Sequence, residues 1–188
     1  MNDSRHVILI VDDNATNIDL LVNTLQDEYR LGIAKNGPKA LEYASKHKPD
    51  LVLLDIMMPE MDGYEVCRRL KADPETAAVP VIFITAMTET VNKTQGFELG
   101  AVDYITKPFQ AAEVKARIRT HLALEEMRLQ LESQNVVLER KVAEKTAEIR
   151  DMLDATIRTM ARMVEIRDPY TAGHQQRVAQ LACAIAEE

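Results

Sequence analysis

Three runs of residues, VILIV (7–11), LVLL (51–54) and VPVIFIT (79–85), are apolar almost without interruption. A strand with one wet face alternates apolar and polar residues. A strand that is apolar at every position must be covered on both faces. LGIAK (31–35) and AVDYI (101–105) are weaker candidates of the same kind. Helical patterns lie between them: Ile18, Leu21, Val22 and Leu25 repeat at i, i+3, i+4 and i+7, and Leu41 with Ala44 and Val66 with Leu70 give shorter versions. Strand and helix alternating five times predict an α/β domain with a parallel sheet and helices on both sides.

The 188 residues suit one domain plus an extension. A net charge of -7 argues against a nucleic-acid-binding surface, which needs clustered Lys and Arg. Cys67 and Cys183 stand far apart on predicted helices without metal-type spacing, which reads as two reduced thiols in a cytosolic protein. VILIV is too short for a signal-peptide core or a membrane span, so the expectation is a soluble cytoplasmic chain with no membrane partner.

The polar residues at the strand ends carry the chemistry. Asp12 and Asp13 follow the first strand, Asp55 the third, Thr85 closes the fourth and Lys107 follows the fifth. Ligands of open parallel sheets bind outside the carboxyl ends of the strands, so these groups are expected at one edge. Converging carboxylates repel, and a hard divalent cation with oxygen ligands, Mg²⁺, relieves that repulsion. A carboxylate so placed can attack a phosphoryl group, with the metal and Lys107 balancing the charge and Thr85 bonding a phosphoryl oxygen. Each residue has an ordinary alternative: Asp13 or Asn14 as a helix N-cap, Thr85 as a turn residue, Lys107 as a solvated charge, Tyr104 as an edge aromatic. Their joint placement at successive strand ends favours the site.

VDD (11–13), LLDIMMPEMDG (53–63), ITA (84–86) and KPF (107–109) stand in the order and at the distances of a known family. Residues 5 to about 122 resemble the receiver domain of two-component response regulators. The resemblance implies a flavodoxin-like (βα)5 fold with strand order 2-1-3-4-5. It implies that Asp55 accepts a phosphoryl group from a sensor histidine kinase, a phosphotransfer protein or a small phosphodonor. Asp13, Asp55 and the backbone carbonyl of Met57 would bind Mg²⁺ directly, and Asp12 mostly through water. Thr85 and Tyr104 would be the switch residues, with Ala86, Lys107 and Pro108 beside them at the phosphoryl group. A cis Lys107–Pro108 bond is also implied.

From residue 109 to Arg167 there is neither proline nor glycine, and helix formers dominate. A single helix of that length would span on the order of 90 Å and needs a partner in water. Leu124, Leu131, Leu138, Lys145 and Met152 can be set at d, with Arg128, Asn135, Val142, Ile149, Thr156 and Met163 at a. The clear seam is Leu131, Asn135, Leu138, Val142, Ile149 and Met152. A seam Asn favours a parallel two-stranded coil, hence a homodimer. The other reading packs 109–126 on the domain and leaves the rest as a solvated linker.

Asp168-Pro169 is expected to break the helix, and Thr171 to cap the next, whose apolar stripe is still running at Glu188. RDPYTAGHQQRVAQLACAIAEE resembles the opening of an HD-GYP domain, a metal-dependent cyclic di-GMP phosphodiesterase. The resemblance implies that His174 is a first metal ligand in a longer parent. An acidic ligand that some members carry four residues earlier is replaced here by Tyr170. The expected division is a receiver over 1–122, a coiled-coil linker over 123–152, and the truncated start of the HD-GYP-like domain over 153–188. These 188 residues are not expected to be an enzyme, because one histidine is no catalytic metal site. The expected function is a phosphorylation-controlled switch acting through the fifth helix and coil on a phosphodiesterase. The alternative is a constitutive coiled-coil docking module.

Overall fold

The computed structural model describes residues 5–86, 96–167, 173, 177–178 and 180–182. The helix expected between the fourth and fifth strands falls mainly outside these residues. So do the break at Asp168-Pro169, the Thr171 cap, Tyr170, His174 and Cys183.

The elements run β1 (Val7–Val11), α1 (Ala15–Leu25), β2 (Arg30–Ala34), α2 (Gly37–His47), β3 (Leu51–Asp55), α3 (Gly63–Ala72), β4 (Val81–Ala86), β5 (Asp103–Lys107) and α4 (Ala111–Arg167). All strand pairs are parallel and the order is β2-β1-β3-β4-β5. The expected α/β class, flavodoxin-like order and long C-terminal helix are all present.

The unbroken apolar runs follow from two cores, one on each side of the sheet. Leu9, Val11, Val52, Leu54, Val81 and Phe83 pack toward Ala40, Ala44, Val66 and Leu70 of α2 and α3. Ile8, Ile10, Leu51, Leu53, Ile82, Ile84 and Ile105 pack toward Ile18 and Leu21 of α1 and Val114, Ile118 and Leu122 of α4. Successive residues of one strand therefore serve opposite cores.

Four strands differ in their bounds from the sequence expectation, β2 covering Arg30–Ala34 rather than 31–35 and β4 Val81–Ala86 rather than 79–85. β5 begins at Asp103 rather than Ala101, because Gly100 turns the chain at φ +89 and Ala101 N–H is still bonded to Gly96 O at 3.1 Å. It extends to Lys107 because Thr106 and Lys107 pair with Thr85 and Ala86 of β4. β3 likewise includes Asp55, which pairs with Ile84.

The chain divides into two compact units, Met1–Leu129 and Gln130–Glu188. In the first, the beginning of α4 is held by polar ties as well as by its apolar face. Glu28 accepts from Lys115 and Arg119, each at 2.7 Å. Asp103 accepts twice from Arg117 at 2.7 Å. His6 Nε2 lies 3.1 Å from Glu126. In the second unit, Leu131, Leu138, Val142, Ile149 and Met152 are all more than half exposed, and Asn135 is exposed too. Among the described residues, no helix is long and apolar enough to cross a membrane.

Candidate functional site

β1 and β3 lie side by side at the middle of the sheet, so the residues at their carboxyl ends meet. Asp12 is fully buried and Asp55 is only 4% exposed. Burying two carboxylates a few ångströms apart is costly unless charge and hydrogen bonds compensate. Lys107, at the end of β5, supplies the charge. Its Nζ donates to Asp12 Oδ2 and to Asp55 Oδ2, each at 2.9 Å. The Lys107–Pro108 peptide bond is cis.

Asp12 is held further by the start of α1. Its Oδ1 accepts from Asn14 N–H at 2.8 Å, and the Asn17 amide donates to Oδ1 at 3.1 Å and Oδ2 at 2.9 Å. The α1 N-cap is Asn14, whose side chain accepts from Thr16 N–H at 2.9 Å. Of the two cap candidates, Asn14 therefore serves, and the exposed Asp13 turns to the site. Oxygens of Asp12, Asp13 and Asp55 all lie within 4.8 Å of one another.

Asp55 Oδ1 is approached by Met57 N–H at 3.4 Å, which places Met57 at the rim, with its side chain largely in solvent. The loop after β3 is tight. Gly63 N–H bonds Ile56 O at 2.9 Å, and Met61 N–H bonds Pro59 O at 2.7 Å. A Cβ on Gly63 would sit 2.3 Å from the Asp55 carbonyl oxygen, so only glycine lets α3 start this close to the strand end.

The electrostatics follow from burial. Desolvation pushes the Asp55 carboxyl above its ordinary range, and Asp12 adds to this. Lys107 and Met57 N–H pull the other way without cancelling it. Burial acts to lower the Lys107 pKa, but its bonds to Asp55 and Asp12 outweigh it and hold the ammonium more firmly charged than usual.

Thr85, partly buried, is the last residue but one of β4 and pairs with Thr106, and Ala86 pairs with Lys107. Tyr104, one strand over from Phe83, has its ring 6.1 Å from Phe97, with the Arg117 guanidinium 5.9 Å from its centroid. Sequence reasoning missed Asn17, Arg117 and His121. Asn17 offered only a polar residue one turn into α1. Arg117 and His121 lie in a stretch whose sequence signals only a helix, and β5 beside α4 shows that both reach Asp103.

A two-core flavodoxin-like sheet with paired carboxylates and a lysine at its carboxyl edge defines a receiver. The chain belongs to the response regulator receiver domain family, which matches residues 8–119. A probable cyclic di-GMP phosphodiesterase of Vibrio cholerae is 41% identical over 184 residues, 98% of this chain and 42% of that protein. The chain thus spans less than half the length of that relative. Among solved structures, a putative response regulator from Chloroflexus aurantiacus is 36% identical with a TM-score of 0.62, covering 64% of this chain and 99% of that one. The receiver domain of the sensor histidine kinase PA1611 from Pseudomonas aeruginosa, with a magnesium ion in its active-site cleft, is 28% identical with a TM-score of 0.60, covering 64% and 99%.

Proposed function

We propose that Asp55 accepts a phosphoryl group in a Mg²⁺-dependent reaction and that the change is passed along α4. The observation that carries this reading is the buried Asp12–Lys107–Asp55 arrangement, with Asp13 within reach.

The donor set fits the ion: three carboxylates, oxygen only, with Lys107 paired to two of them. Asp13, Asp55 and the Met57 carbonyl would hold Mg²⁺, with Asp12 acting mostly through water. When bound, the ion supplies positive charge to the phosphoryl oxygens. The chain's own residues do the rest. An Asp55 carboxylate oxygen attacks phosphorus and forms the O–P bond. The bond from phosphorus to the donor breaks, and its electron pair leaves with the donor, a phosphohistidine of a kinase or phosphotransfer protein or a small phosphodonor. Lys107 balances the charge gathered at Asp55. Thr85 donates its hydroxyl to a phosphoryl oxygen with Ala86 beside it, and Tyr104 turns inward after it.

The output is a second proposal built on the first. α4 begins beside the site and continues to Arg167, and its exposed seam suits pairing with a second copy. In a protein organised like the Vibrio relative, the switch would set a cyclic di-GMP phosphodiesterase, with His174 as one metal ligand. Hydrolysis is not assigned to these 188 residues. The same exposed seam supports a rival reading, a coil that pairs whether or not Asp55 is modified.

Intact mass and light scattering on one sample, with Mg²⁺ and a small phosphodonor, test both. The expected result is one phosphoryl group on the wild type and none on Asp55→Ala, with a change of oligomer or shape in step. No uptake by the wild type would sink the phosphoacceptor reading. Uptake without a change in the assembly would favour the constitutive coil.

A further inference from the structure

The apolar face of the second unit is straighter than a heptad seam. Eighteen residues separate Leu131 from Ile149, and eighteen separate Val142 from Met160. Eighteen residues are five whole turns at about 3.6 residues per turn. At about 100° per residue, Leu131, Leu138, Val142, Ile149, Leu153 and Met160 all fall within about 40° of one line along the helix. All six are exposed in the single chain.

A strict heptad drifts by about 20° per repeat relative to a straight helix, and a left-handed supercoil absorbs the drift. Continued past Ile149, that register brings Thr159 to the seam beside Thr156, which lies on both the seam and the line, and leaves Leu153 and Met160 on its flank. The apolar residues recur at spacings of 7 and 4 in turn, closer to the helix's own period than a heptad is.

We infer that the face from Leu131 to Met160 packs against the same face of a second copy, parallel and in register, as a nearly straight helix pair. This rests on the pairing proposed above and deepens it. Three polar residues lie on the line, Asn135, Lys145 and Thr156, and Asn135 points to an identical partner. The Asn135 amide both donates and accepts, so it is satisfied by its own copy at the same height, and a parallel, in-register pair provides this with the whole apolar face still matched. Lys145 also lies on the line. Its ammonium is drawn aside to Glu148 on the flank, leaving the aliphatic stem on the face.

Single cysteines in a Cys183→Ser background test the phase, since the remaining Cys67 is buried. A disulfide needs Cβ atoms about 3.5–4.5 Å apart. Ile149→Cys lies on the seam in either phase and reports the pair itself, beside light scattering of the uncrosslinked protein. Met160→Cys and Thr159→Cys separate the two phases at exposed helical positions, with circular dichroism to verify an unchanged fold. The expected result is crosslinking at Ile149→Cys, and several-fold more at Met160→Cys than at Thr159→Cys. The reverse order, with Ile149→Cys still crosslinked, overturns the straight face and leaves the pair standing. A monomeric mass with no crosslink at any of the three overturns both.

Discussion

The Asn17 side-chain amide donates to both carboxylate oxygens of Asp12, at 3.1 and 2.9 Å. Asp12 is completely buried, so its orientation is set by Asn17, Asn14 N–H and Lys107 together. Asn17→Ala removes the α1 side-chain contribution and leaves a charge with fewer donors. Hydrogen bonds to charged groups contribute about 1.5–3 kcal/mol each in partly buried settings. The expected outcome is a loss of about 1–3 kcal/mol in urea unfolding without Mg²⁺, together with weaker Mg²⁺ binding by titration.

Asp55 is held above the ordinary carboxylate range, mainly by burial. A group whose folded pKa is raised contributes stability that is fully present below its unfolded pKa and lost as pH rises through the folded value. At neutral pH the charged Asp55 is therefore a liability without metal. Asp55→Asn is expected to melt at a higher temperature than wild type at pH 7 in chelator. The difference should shrink as the pH drops through the raised pKa toward about 4, where the unfolded carboxyl titrates. A variant that melts lower at pH 7 would show that Lys107 outweighs desolvation.

Asp103 titrates in the opposite sense. Burial acts to raise its pKa, but Arg117, Tyr104 N–H and His121 together hold it below the usual value. Such a group contributes stability above the unfolded pKa and loses it as pH falls through the folded one. Arg117→Met removes the guanidinium whose Nη1 donates to both Asp103 oxygens and is expected to cost about 1–3 kcal/mol at pH 7. Unfolding at pH 3 or below should narrow that gap. An equal loss at both pH values would assign the effect to packing of the arginine stem.

Gly63→Ala tests the loop behind the site. The added Cβ meets backbone, the Asp55 carbonyl oxygen at 2.3 Å and Ile56 Cα at 2.8 Å, and neither can swing aside as a side-chain tip would. The expected cost is about 1–3 kcal/mol or more. Because the strain bears on the Asp55 peptide, phosphoryl uptake by intact mass should fall as well. Wild-type stability and uptake would mean that the loop shifts freely.

Much of this protein was legible in its sequence because its strands are buried on both faces. VILIV, LVLL and VPVIFIT read as buried strands, and polar residues at the ends of parallel strands are expected at one edge. Asp12, Asp13, Asp55, Thr85 and Lys107 are grouped on that ground alone. The order of the strands and the family came from four motifs, not from periodicity. Tertiary structure decided what depends on distance across the fold. The β5 boundary moved because Gly100 turns the chain and β4 continues to Ala86. The choice of Asn14 over Asp13 as cap left a carboxylate for the site. Asn17, Arg117 and His121 gained roles only when α1 and α4 were laid against the sheet. Local sequence encodes which face of an element is apolar. Which polar group finds a partner across that face is settled by packing, and short charged contacts are the part of the fold least visible one residue at a time.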